Sequence, residues 1–163
     1  QSRSSAASDV YKRQFVNRTL VLTHKYFNGV VPERNALEKE DIAVLDVLKQ
    51  TPLIVEKAIR SFRFRDAQAE AMKLARVGNK YLADTEPWKQ IKTNPDRVKT
   101  ILNISLQITA NLAVVFEPFM PHISTKLVAM LGIELPKWDA SGNSALILSG
   151  HTINLSLIHI LRC

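Results

Sequence analysis

The residues best suited to chemistry in this chain are few, and what they suit is holding a nucleic acid. Gln14 and Arg18 stand four apart, so on a helix they share one face, where an amide and a guanidinium can converge on a base edge or a phosphate. Surface helices also carry such pairs by accident. Trp88 follows Pro87 in a stretch that reads as a helix-to-helix turn, where a ring can be held rigid and partly open. Unpaired RNA bases are commonly bound by stacking on rings so placed; the same ring could instead plug the end of a bundle. Lys73, Arg76 and Lys80 recur at intervals of three and four, lining a helix face that would attract phosphates.

No catalytic constellation accompanies them. The histidines His24, His122, His151 and His159 are too scattered for a ligand set, and no Glu-x-x-His pair, Gly-rich phosphate loop or nucleophilic triad context occurs. The single cysteine, Cys163, excludes a disulfide framework and a thiolate zinc site. The expectation is no cofactor or metal and a reducing, cytoplasmic home. The net charge of +7 is uneven: residues 61–100 carry nine Lys or Arg against five Asp or Glu, and residues 1–28 carry five against one. A polyanion is the natural partner for that excess, although a merely soluble basic surface has the same charge.

Helices must position these residues. At 163 residues, 46% hydrophobic and 23% charged, the composition is that of one folded domain. Residues 1–14 and the closing 155–163 resemble translated adapter sequence and carry no pattern continuous with their neighbours, leaving 15–154 as the domain. Phe15, Val16, Leu20 and Phe27 mark a first helix stopped by Asn28-Gly29. A second spans about 38–60 by periodicity, with Pro52 as a kink or a break. Phe64 to Leu82 carries a third, with small alanines on its apolar stripe, followed by a turn at 84–88 because the residue before proline is pushed out of helical conformation. Asn94-Pro95-Asp96 is a strong start for a fourth, running to about Phe116, and His122 to Leu131 forms a fifth ending at Gly132. The fold class is therefore all-α, a bundle of about five helices. The most apolar stretch, Ile101 to Phe119, is interrupted by Asn103, Gln107, Thr109 and Asn111, so a membrane span is not expected.

Phe15-Val16-Asn17-Arg18, Lys25-Tyr26-Phe27-Asn28-Gly29, Gly78-Asn79-Lys80-Tyr81, Glu86-Pro87-Trp88, Phe119-Met120-Pro121-His122 and Gly150-His151-Thr152-Ile153-Asn154 follow one another in this order. The series resembles the anticodon-binding domain of bacterial methionyl-tRNA synthetases, of the class I type, over nearly all of 15–154. The resemblance implies that Arg18 and the Pro87-Trp88 pair recognise a CAU anticodon. The family has an asparagine where this chain has Gln14. It implies further that the partners are initiator and elongator methionine tRNAs and a parent catalytic domain, and that the parent ligates methionine to tRNA with ATP. The family's two ATP-binding signatures are absent from this chain, so methionine activation is not expected of it. The rival readings are the anticodon domain of a sister class I synthetase, which would lack the Pro-Trp anchor, and a helical module that binds no RNA.

Overall fold

The computed structural model describes residues 2–154, with side chains from Lys12 onward; the expected foreign tail at 155–163 lies outside them. The helices are α1 (Ser2–Phe27), α2 (Lys39–Arg60), α3 (Phe64–Thr85), the single-turn α4 (Pro87–Gln90), α5 (Pro95–Phe116) and α6 (Pro121–Leu131), with a 3-10 turn at Trp138–Ala140. Among the described residues, strand pairing is limited to an isolated antiparallel bridge between Val30 and Thr152.

α2, α3, α5 and α6 follow the sequence pattern closely, whereas the turn expected at 84–88 is narrower: α3 runs on to Thr85 and Pro87 already opens the short α4. Asn94 caps α5, its side chain accepting from the Arg97 N–H at 3.3 Å, with Pro95 at the first helical position. Gly132, at φ 69°, ends α6 in the left-handed region. α2 runs unbroken through Pro52. α1 differs: it begins thirteen residues before Phe15, where periodicity places its start. No Gly or Pro occurs between Ser2 and Phe27, so nothing local stops the helix from extending backward. Gln14 accordingly sits in mid-helix.

α3 packs between α1, α2 and α5. Its close approach to α1 depends on Gly78, where a Cβ would lie 2.8 Å from the Phe15 ring. A single buried carboxylate ties three of the helices together. Asp41, fully inaccessible, accepts the Glu38 backbone N–H at 2.9 Å in the capping box of α2. It also accepts the Tyr81 hydroxyl from α3 at 2.5 Å, and two Arg97 N–H groups from α5 at 2.5 and 2.9 Å. Burial pushes the Asp41 carboxyl up, but hydrogen bonds from Arg97, Glu38 and Tyr81 outweigh it and hold the group below its ordinary value. Burial, then the hydrogen bond and charge of Asp41, pushes the Tyr81 phenol above its ordinary range.

α5 is long and apolar enough to cross a bilayer by length and composition, yet 94% of its most apolar window is buried inside the bundle. The polar residues that interrupt its apolar run are clamps. Gln107 donates to the Ile147 carbonyl at 2.7 Å and accepts the Ile147 N–H at 2.9 Å. Asn111 donates to the Asn143 carbonyl at 3.0 Å and accepts the Gly142 N–H at 2.7 Å. Asn103 donates to the Pro32 carbonyl at 2.8 Å and accepts from Arg34 at 3.0 Å. These amides, at intervals of four residues, satisfy buried backbone groups of the irregular segments crossing α5.

Candidate nucleic-acid interface

The site begins at the end of α3. Proline disfavours the α region for the residue before it, and Glu86 adopts φ 45°, ψ 61°, still donating its N–H to the Leu82 carbonyl. That left-handed residue turns the chain, and Pro87 then opens α4 at its first position. The Gln90 side chain donates back to the Thr85 carbonyl, fastening the turn. Pro87 is buried, so its effect on the site is where it puts Trp88.

Trp88 is 36% exposed, neither a buried plug nor a free ring. The Arg18 guanidinium of α1 lies over the indole, 5.7 Å from the ring centroid. A cation over an aromatic face gains about 0.5–1 kcal/mol at an exposed site, and here it holds a flat donor and a flat stacking surface together. Among the described residues no carboxylate lies within ion-pair reach of Arg18, so its N–H donors remain available to an external acceptor. The two residues border an open groove of about 310 Å³, lined also by Asn17, Val21, Leu22, Lys25 and Tyr26. The Lys25 ammonium stands 5.7 Å from the Tyr26 ring. The groove thus combines stacking surface, an apolar floor and two cations, with no acidic lining residue.

The structure brings Arg18 and Trp88 together but leaves the other expected site residues outside the groove. Gln14 is exposed one turn earlier on α1 and accepts from the Asn79 amide of α3 at 3.4 Å. Lys73, Arg76 and Lys80 are exposed along α3, with Lys80 paired to Asp84 at 2.7 Å. That pair is exposed and contributes little. Val21, Leu22, Lys25 and Tyr26 were missed as site residues, although they lie three, four, seven and eight positions beyond Arg18, the intervals that share a helix face. Among the described residues, no group of three or more His, Cys, Asp or Glu is placed to hold a metal ion.

Comparisons with known proteins bear on the family and the fold of the chain. The family model described as the anticodon binding domain of methionyl tRNA ligase matches residues 31–157. The methionine–tRNA ligase of Phocaeicola vulgatus is 56% identical over 140 residues, covering 86% of this chain and 21% of that protein. That of Porphyromonas gingivalis is 53% identical over 140 residues, covering 85% and 21%. The chain therefore spans about a fifth of the length of these curated relatives. Among solved structures, Mycobacterium tuberculosis methionyl-tRNA synthetase bound by methionyl-adenylate superposes with a TM-score of 0.78 at 19% identity, covering 88% of this chain and 29% of that one. Its free form gives a TM-score of 0.76 at 20% identity, covering 86% and 29%. Both likenesses speak to the fold.

Proposed function

The chain belongs to the family of methionyl-tRNA ligase anticodon-binding domains, and from that premise we propose that its groove holds the CAU loop of methionine tRNAs, initiator and elongator alike. The observation that carries the reading is the Arg18 guanidinium seated over the Trp88 indole at the rim of an open, acid-free groove. Trp88 offers a face on which an unpaired base stacks, and Arg18 offers N–H donors in fixed geometry to a base edge or phosphate. Lys73, Arg76 and Lys80 add attraction for the backbone without reading sequence.

In this reading the domain does no bond-making itself. It selects the tRNA for a longer cytoplasmic synthetase whose catalytic domain joins methionine to tRNA at the expense of ATP. The test is a titration of the chain with RNA hairpins of identical stem, one with a CAU loop and others with altered anticodons, at several fixed salt concentrations. Tighter binding of the CAU hairpin at every salt is expected. Equal affinities would reduce the groove to a general basic surface, as in a helical module with no anticodon role.

A further inference from the structure

The turn joining α2 to α3 lies far from the groove and has features that anticodon binding does not use. Phe62 is 81% exposed and Phe64 53%, and the two rings meet edge to face with centroids 6.3 Å apart and planes at 79°. Lys57, Arg60, Arg63 and Arg65 fall within nine residues, 57–65, that contain no acid. Arg60 meets Glu56 at 3.4 Å and Arg63 meets Asp66 at 3.9 Å, both in exposed pairs that water and salt largely screen. Arg65 is exposed, and no carboxylate among the described residues lies within ion-pair reach of it.

The backbone adds an independent observation. The Arg63 N–H donates to the Ala58 carbonyl at 2.8 Å and the Phe62 N–H to the Ile59 carbonyl at 3.0 Å, the paired bonds of a helix end whose left-handed residue is ordinarily glycine. Here that residue is Phe62, at φ 59°, a strained choice for a bulky side chain. A glycine would relieve the strain and remove an aromatic ring from water. The ring is thus doubly unfavourable for the isolated fold, and packing within the chain does not account for it.

We infer that the α2–α3 turn is a second RNA contact, on which Phe62 and Phe64 stack against unpaired bases of the tRNA body while Arg60, Arg63 and Arg65 hold the flanking phosphates. Exposed rings interleaved with arginines suit a flexible, polyanionic, base-bearing ligand. The inference rests on the reading of this chain as a tRNA binder. α3 alone, at 22 residues, separates the turn from the Trp88 end by about 33 Å, so a short hairpin seated on Trp88 does not reach it and a whole tRNA does.

The experiment compares the intact chain with Phe62→Gly, using methionine tRNA and a hairpin with a five-base-pair stem and CAU loop. The variant is expected to unfold at an unchanged or higher temperature, because the left-handed strain is relieved. It should bind the tRNA roughly five-fold to a hundred-fold more weakly and the hairpin within two-fold of the unchanged chain. A double Arg63→Gln, Arg65→Gln variant should lower the slope of log affinity for tRNA against log salt concentration by about two. Unchanged tRNA affinity in Phe62→Gly overturns the inference and returns the rings to a protein partner. Equal weakening of tRNA and hairpin also overturns it, since the variant would then act through the groove. Neither result bears on whether the unchanged chain prefers CAU hairpins, which remains the separate test of the anticodon reading; failure of the unchanged chain to bind any tRNA overturns both.

Discussion

Two arginines in this bundle are each placed beside an aromatic side chain, and their surroundings give them opposite work. Arg97 shares the buried carboxylate of Asp41 with Tyr81; Arg18 lies over Trp88 at an open rim, with no carboxylate in reach among the described residues. In the first case, donors, acceptor and charge are satisfied internally, which locks α2, α3 and α5 in register. In the second, the guanidinium has a neighbour that orients it without consuming its hydrogen-bond donors. The presence or absence of one acid separates a structural knot from a guanidinium left open at the surface.

The largest effect should come from breaking the knot. Asp41→Ala leaves Tyr81 buried without its acceptor and Arg97 with only its 3.3 Å pair to the exposed Glu38, and should destabilise the fold by about 3–5 kcal/mol, measured by urea unfolding. RNA affinity of the fraction still folded should not change. The comparison loses its force if Asp41→Ala abolishes RNA binding by folded protein.

Acid should probe the same knot in the unmodified chain. Asp41 has a depressed pKa in the folded state, so its contribution is present above the unfolded carboxylate pKa of about 3.9 and is lost as pH falls through the lower folded value. Tyr81 has a raised pKa; its contribution is intact below the unfolded phenol value of about 10 and is lost as pH climbs toward the folded one. Thermal unfolding midpoints across pH should therefore show a plateau that falls away at both ends. Asp41→Asn should weaken both declines.

On the open side, Trp88→Ala should reduce RNA affinity by about 1–3 kcal/mol while shifting the thermal midpoint little. A collapse of stability with binding unchanged would make Trp88 a second structural element and erase the contrast. Arg18→Ala should then reduce discrimination between CAU and altered loops, whereas Lys73→Ala should weaken all loops alike by a smaller amount. The reverse ordering would move recognition from α1 to α3.

The smallest effect concerns Gln14. Shortening it by one methylene in Gln14→Asn removes its 3.4 Å bond from Asn79 and is expected to tighten CAU binding a few-fold at most, by releasing an amide to the face that carries Arg18. If hairpin titrations show no gain, position 14 serves the α1–α3 contact and lies outside the recognition surface.

Much of this was legible from the sequence, and the omissions have physical causes. α5 was readable because Asn94-Pro95-Asp96 combines a cap, a fixed φ and a favourable charge at one end. The turn that places Trp88 was readable because proline restricts its predecessor whatever the tertiary context. Asp41 was not: an acid in the first turn of a helix ordinarily caps it at the surface, and only the approach of Tyr81 and Arg97, 40 and 56 residues away, shows that it is buried. The start of α1 was misplaced because a polar segment without apolar periodicity gives no helical signal, even where nothing in it opposes helix. Lys25 and Tyr26 carried a usable signal in their distance from Arg18, obscured by reading them as the close of a helix.

The amides on α5 also bear on the timing of folding. Gln107 and Asn111 grip backbone at Ile147, Asn143 and Gly142, 31 to 40 residues further along the chain, and the grip requires α5 already coiled so that residues four apart align. The irregular stretch after α6 has little regular structure of its own to nucleate, and its loop-closure entropy is recovered only once the helical template stands. It should therefore be the last part of the chain to order and the first to open, with its amide protons exchanging ahead of those of the helix that moulds it.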